Sequence, residues 1–179
     1  MHHLRIQEVG HLSRRFVGAL SPRGPSEADE AWVAGALGPG EHALWKRMSA
    51  PDRRHAVGVA RAVAGSLGPG ATRPVLAAAL LHDIGKLEAG LGVWGRVGAT
   101  VAGMAGGRAG AERWATRPGL AGRFGRYLRH PQLGGRLLTA AGSDRLTVAW
   151  TESHHLPPGL WDPAVPPEVG AVLKACDDD

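Results

Sequence analysis

Nine histidines are spread along the chain, and one of them forms a doublet with a carboxylate at His82-Asp83. This doublet directly follows an apolar run from Val75 to Leu81, so an imidazole and a carboxylate emerge from a helix whose preceding turns are buried. An unpaired carboxylate is costly to bury, and such a pair therefore needs a cation or strong hydrogen-bond donors. A metal ion would meet both needs.

Two further residues stand close to this doublet in the predicted helical order. Lys86 follows Asp83 by three positions, a spacing that places both on one helix face, where the ammonium group could meet a phosphate oxygen bound there. The alternative for Lys86 is an ordinary salt bridge to Asp83. His55 lies near the start of a predicted long helix, and a lone histidine there is more often a structural residue than a ligand.

Later histidines and one aspartate extend the pattern. His130 precedes Pro131, His154 and His155 are adjacent, and Asp177 lies at the far end of the chain. Each of these histidines also has a purely structural interpretation. His130 would lie at the start of a helix, before Pro131, and the His154-His155 pair would supply positive charge at the end of a helix, where the helix dipole favours it.

As an ordered set, these residues resemble the H…HD…D signature of HD-superfamily phosphohydrolases. The resemblance runs from about residue 52 to residue 177 and centres on Leu81-His82-Asp83-Ile84-Gly85-Lys86. It implies an all-α fold, an HD-domain-like helical bundle. It also implies one metal ion bound by His55, His82, Asp83 and Asp177.

Two segments resemble the HD-GYP subgroup of that superfamily. The segment 129–134, Arg-His-Pro-Gln-Leu-Gly, is similar to its HPxxG element, and the segment 152–155, Glu-Ser-His-His, is similar to its paired histidines. The resemblance implies a second ion held by His130 and His154, with His155 as a further candidate ligand and Asp83 as the bridge between the two ions.

The sequence also departs from the subgroup. Leu156 stands where a Glu is usual, and no GYP tripeptide follows, which argues against cyclic di-GMP hydrolysis. Pro51 occupies the position at which some relatives place the Glu of a third metal site, so at most two ions are expected. The chain is more similar to small stand-alone HD proteins of high-GC bacteria.

The implied reaction is hydrolysis of a phosphomonoester or phosphodiester by a metal-activated hydroxide, with Asp83 and Lys86 as catalytic residues. The expected partner is an anionic, phosphate-containing small molecule, with a nucleotide as the leading candidate. Imidazole and carboxylate ligands together favour Mn, Fe, Ni, Co or Zn over Ca and Mg. The alternative is a catalytically silent HD-type module for ligand binding, regulation or interaction.

The elements that must position these residues are all predicted to be helices. Helical spacing of apolar residues appears at 4–20, and short helices follow at about 26–37, with Ser26 as N-cap, and around Leu44 to Met48. A longer helix is predicted from just after Pro51 to residue 67, and another from Pro74 to 83. Further helices are predicted at about 120–130, 131–141, 144–155 and 167–177, and no alternating strand pattern appears.

This order predicts an N-terminal helical extension at 1–50 packed on the core and an HD domain at 51–179. A Gly-rich helical insertion at 88–122 interrupts that domain and is read as a helix against the core or a partner. If the insertion is instead an interaction helix, the protein acts chiefly in assembly or at a membrane surface. Its weak cationic character predicts no more than weak peripheral membrane contact.

Composition narrows the class of partner. Lys and Arg number 21 against 16 Asp and Glu, an excess that favours phosphate-bearing partners but is too small to indicate nucleic-acid binding. Cys176 is the only cysteine, so no internal disulfide can form and a reducing compartment is expected. The sequence shows neither a secretory signal nor a transmembrane segment, which predicts a cytoplasmic protein, and it leaves the oligomeric state open.

Overall fold

The computed structural model describes residues 23–92, 95, 98–100 and 110–178, and this part of the chain is all-α, with no β-strand. The predicted helix at 4–20 and the middle of the predicted insertion at 88–122 lie outside the described residues. Within them, no helix is long and apolar enough to cross a bilayer.

Eight α-helices are described with both ends, and we number them in chain order. They are α1 Glu27–Ala36, α2 Pro39–Arg47, α3 Ala50–Leu67, α4 Arg73–Leu81, α5 Gly119–Leu128, α6 His130–Ala140, α7 Arg145–Ser153 and α8 Pro167–Asp178. Three short 3-10 helices lie at Gly68–Gly70, Ile84–Ala89 and Pro158–Leu160. Residues 110–115 are also helical.

Polar side chains define where several of these helices begin. The predicted N-cap Ser26 accepts a hydrogen bond from the backbone N–H of Asp29, at 3.1 Å. Ser49 caps α3 in the same way, accepting from Asp52 N–H at 3.3 Å, a cap that the sequence analysis did not identify. Each cap satisfies a backbone donor that the first helical turn leaves without a partner.

The core lies where α3, α4, α7 and α8 pack together. Helix α3 contacts α4 and α8, α4 contacts α7, and α7 in turn contacts α6. Helices α1 and α2 contribute Val33 and Trp45 to the same core. The largest fully buried apolar side chains are Trp45, Trp150, Leu80, Leu81, Ile84, Leu138 and Leu173.

A polar network ties α1 and α2 to the start of α3. Glu30 accepts hydrogen bonds from Trp45 Nε1 at 2.9 Å and from the Arg53 guanidinium at 2.8 Å. Because Arg53 lies two residues before His55, this network fixes the part of α3 that carries the first candidate ligand.

The structure places Lys86 in a 3-10 helix, whereas the sequence predicted that it shares an α-helical face with Asp83. Helix α4 ends at Leu81, His82 is its C-cap, and Ile84–Ala89 forms a 3-10 helix. This 3-10 helix packs closely on α6 at Gly85, which has no side chain. A Cβ at that position would lie 1.9 Å from the carbonyl oxygen of His130, so a larger residue would not fit. In a 3-10 helix, residues three apart are eclipsed, so Lys86 still lies beside Asp83.

Candidate metal centre

The first cluster of candidate ligands consists of His55, His82 and Asp177. His55 Nε2 and His82 Nε2 lie 3.2 Å and 3.4 Å from the same carboxylate oxygen, Oδ1 of Asp177. These side chains come from α3, from the end of α4 and from α8, which pack against one another. One ligand atom from each residue lies within 4.8 Å of the others, close enough for one ion to contact all three.

The second cluster consists of His130, His154 and His155, whose ligand atoms also lie within 4.8 Å of one another. His130 is the first residue of α6, and His154 and His155 directly follow α7. His130 and His154 are buried, whereas His155 is exposed and places its Nε2 3.2 Å from His130 Nε2. The packing of α6 on α7 therefore assembles this cluster.

Asp83 lies between the two clusters. Its Oδ2 is 3.4 Å from His82 Nε2, while its Oδ1 is 3.2 Å from His130 Nε2 and 4.0 Å from His154 Nε2. One carboxylate oxygen therefore faces each cluster. The structure thus brings all of the predicted ligands together around a single buried carboxylate.

Three of the histidines are oriented by the same backbone contact. The Nδ1 atoms of His82, His130 and His154 lie 2.8 to 2.9 Å from carbonyl oxygens three residues earlier, those of Ala79, Tyr127 and Thr151. A carbonyl can only accept, so Nδ1 carries the proton and donates it. The lone pair of a neutral ring is then on Nε2, the atom directed into the centre, as is usual for histidines that bind metals.

These residues fit a divalent ion. The Nε2 atoms of His82 and His154 are buried and have no hydrogen-bond partner. A buried polar nitrogen without a partner is unusual in a native protein, and two that face one carboxylate call for a bound cation. Imidazole nitrogen with carboxylate oxygen is a ligand set typical of transition metals.

Without a metal, a proton takes the place of a cation in the first cluster. Burial opposes protonation of His82, but the negative charges of Asp83 and Asp177 outweigh it and raise its pKa to about 10. Burial would likewise raise the pKa of Asp177, yet the hydrogen bond with His55 and the positive charge of His82 hold that pKa well below its usual range. The carboxylate is therefore ionised and available.

The second cluster has the opposite character. Burial, followed by the positive charge of His82, lowers the pKa of His154 to about 2. Although His155 is exposed overall, desolvation where its ring packs against His130 and His154, followed by the charge of His130, lowers its pKa to about 4. Both rings are neutral at physiological pH, which is the state that a metal ligand needs.

Lys86 forms an ion pair with Asp83, as the salt-bridge alternative from the sequence anticipated. Burial would raise the pKa of Asp83, but the charges of Lys86 and His82 keep it well below its usual range. Lys86 is half-buried, so it remains accessible from one side.

A cavity of about 180 Å³ opens beside Asp83 and Lys86. Its other lining residues are Arg47, Met48, Ser49, Asp52, Leu87, Gly90 and Leu91. Gly90 ends the 3-10 helix in a left-handed conformation, φ +58°, which turns the chain along the cavity at a position that favours glycine. The cavity gives a small molecule access to the Asp83 carboxylate.

Sequence reasoning missed two residues near the centre. Tyr127 accepts the His130 hydrogen bond at its carbonyl and packs its ring 5.7 Å from the His130 ring, and its position three residues before His130 is the only available signal. Arg47 reaches the cavity from α2, outside the segment that carries the resemblance, and no sequence signal marks it.

Two arginines of α5 support one wall of the cavity. Arg123 and Arg126 donate hydrogen bonds to the carbonyls of Ala89 and Glu88, at 3.2 Å and 2.8 Å. They hold the end of the 3-10 helix in place, and with it the wall of the cavity.

Comparisons with known proteins give no relative for this chain. No protein-family model, curated protein or solved structure matches it.

Proposed function

We propose that this protein is a metal-dependent phosphohydrolase that acts on a phosphomonoester or phosphodiester, with a nucleotide as the leading candidate. The observation that supports this proposal is the position of the Asp83 carboxylate, 3.4 Å from His82 on one side and 3.2 Å from His130 on the other. A carboxylate shared by two ion sites is suited to phosphoryl transfer assisted by two metals. The H…HD…D resemblance leads to the same reaction class.

In this proposal each cluster holds one ion. His55, His82 and Asp177 would hold the first, His130, His154 and His155 the second, and Asp83 would contact both. Bound divalent ions would supply positive charge to the phosphoryl oxygens and would lower the pKa of a water molecule. The ligand types favour Mn, Fe, Ni, Co or Zn.

The protein's own groups would bind and orient the phosphoester. Asp83 and Lys86 both line the cavity, so a phosphoryl group placed there would meet the carboxylate and the ammonium together. Lys86 would donate hydrogen bonds to phosphoryl oxygens and stabilise the negative charge that develops on them. Its ion pair with Asp83 holds the ammonium in place before the substrate arrives.

A catalytically silent ligand-binding or regulatory module is the alternative. A module without catalytic activity would not need a full set of metal ligands. Here both clusters of candidate ligands are present, and so is the carboxylate between them. The completeness of the centre favours an enzyme.

We also propose that the protein is cytoplasmic. Cys176 is its only cysteine, so the chain forms no internal disulfide. An oxidising compartment would therefore not stabilise it through disulfide bonds. Its expected partner is a small phosphorylated molecule.

The direct test is hydrolysis of p-nitrophenyl phosphate and bis(p-nitrophenyl) phosphate by protein loaded with Mn. We expect turnover of at least one of the two, and we expect Asp83→Asn to lower kcat by roughly a hundredfold or more because the shared carboxylate is lost. His42→Ala is the matched control, since His42 belongs to neither cluster and should leave kcat unchanged. Absence of turnover by fully metallated wild-type protein would support the silent module instead.

A further inference from the structure

We propose that Arg47 is a substrate-binding residue whose guanidinium binds phosphoryl oxygens of an organic phosphate in the cavity beside Asp83. This inference rests on the proposed function for the class of ligand, and it adds a residue that the motif resemblance does not include. Arg47 and Lys86 are the two cations that line the cavity.

The charges of the lining residues single out Arg47. Lys86 is paired with Asp83, and Asp52 accepts a hydrogen bond from the Ser49 hydroxyl at 2.6 Å. Arg47 is exposed and makes no hydrogen bond or ion pair with any residue that the structure describes. Among the lining residues it is thus the one cation whose charge the described part of the chain leaves without a partner.

The remaining walls indicate what kind of anion would bind. Met48, Leu87 and Leu91 give the cavity apolar surface, while Arg47 and Lys86 give it two cationic donors. A guanidinium binds phosphate oxygens through paired hydrogen bonds, and the pairing is strong because both partners are charged. The cavity therefore suits an organic phosphate whose non-polar part contacts the apolar walls and whose phosphoryl oxygens reach the cations.

A structural role at the helix end is the competing explanation for Arg47. Cations near the C-terminus of a helix are stabilised by the helix dipole, and Arg47 is the last residue of α2. Lys46 occupies the same last turn and is also exposed, yet it does not line the cavity. A dipole effect would be shared by both residues, whereas ligand binding belongs to Arg47 alone, which makes Lys46 the matched control.

The first experiment measures binding of inorganic phosphate to Mn-loaded protein by calorimetry at low ionic strength. We expect Arg47→Gln to weaken phosphate binding roughly tenfold, Arg47→Lys to retain part of the affinity, and Lys46→Gln to change it less than about twofold. Equal effects of Arg47→Gln and Lys46→Gln would overturn the proposal. Unfolding temperatures of the variants verify that each one is folded.

The second experiment needs no variant, so it does not depend on folding. Phenylglyoxal modifies accessible arginines, and peptide mass spectrometry quantifies the modification at each position. Inorganic phosphate should protect Arg47 but not Arg145, which is exposed and does not line the cavity. Equal protection of the two arginines, or no protection of Arg47, would contradict the assignment.

The two levels of inference fail in different ways. If wild-type protein neither binds phosphate nor hydrolyses the two p-nitrophenyl esters, the proposed function fails, and Arg47 loses its ligand with it. If wild-type protein does both while Arg47→Gln binds phosphate normally and Arg47 is not protected, the function stands and only the role of Arg47 is wrong.

Discussion

His55 Nε2 and Asp177 Oδ1 lie 3.2 Å apart although 122 positions separate these residues in the chain. Helices α3 and α8 pack side by side, and this contact closes the first cluster around His82. The second cluster depends on α6 and α7 instead. The two clusters are therefore built by different sets of helices, and the Asp83 carboxylate lies between them.

Because the clusters are built separately, each should lose its metal independently. We expect wild-type protein to retain two divalent ions per chain after dialysis against buffer containing Mn, measured by plasma mass spectrometry. Asp177→Asn should retain only the ion of the second cluster, and His154→Ala only that of the first, because each variant removes a ligand from one cluster. His42→Ala should retain both ions. Two ions in either ligand variant would contradict the two-site assignment.

The metal-free protein should be most stable near pH 6.5, because two buried histidines have pKa values shifted in opposite directions. Burial opposes protonation of His82, but the nearby carboxylates raise its pKa to about 10. The stability that protonated His82 contributes is therefore fully present below pH 6.5, the pKa of the unfolded chain, and is lost as the pH rises toward 10. Burial lowers the pKa of His154 to about 2, so the unfolded chain takes up that proton first and stability falls as the pH drops below 6.5.

Urea unfolding in the presence of a chelator, followed between about pH 5 and about pH 9, measures both sides of this optimum. His154→Gln should make the acid side less steep, because one of the two histidines that resist protonation is gone, and it should leave the alkaline side unchanged. An acid side of the same slope in His154→Gln would show that another group is responsible.

Gly85 should tolerate no side chain. A Cβ there would lie 1.9 Å from the His130 carbonyl oxygen, so Gly85→Ala must push the 3-10 helix away from α6, at an expected cost of about 1–3 kcal/mol in unfolding free energy. Affinity for the second ion should also fall, because His130 moves relative to Asp83. Urea unfolding and metal titration measure the two effects.

Gly58 provides the control for that substitution. It is exposed within α3, and an added Cβ would meet no atom within 4 Å. Gly58→Ala should therefore stabilise the protein by about 0.5–1 kcal/mol, since alanine is the better helix former. If both alanine variants are equally stable, the close approach of Gly85 to α6 is not a constraint on the fold.

The core between α4 and its neighbours should dominate stability. Leu80 is fully buried, so Leu80→Ala should cost roughly 2–5 kcal/mol through lost burial and the cavity that it leaves. Leu120 is 59% exposed, and Leu120→Ala should change the unfolding free energy by less than about 0.5 kcal/mol. Chemical unfolding compares the two variants, and similar midpoints would contradict the packing described for α4.

The sequence by itself predicted the all-α class and the helices of the described region. Apolar residues recur at helical spacing, and Pro, Gly and Ser mark the ends, so these signals are local and can be read without a fold. The candidate ligands were also predicted, because His82-Asp83, His130 and His154 stand in segments whose resemblance to known motifs can be read from the linear sequence.

Only the tertiary structure decided how these residues meet. Gly85 approaches α6 closely within a 3-10 helix that the sequence did not predict, and Asp83 at the start of that helix lies between the two clusters. The approach of Arg47 to the cavity has no sequence signal at all. The physical reason is that helix periodicity shows which face is buried, whereas the register between helices depends on packing among residues far apart in the chain.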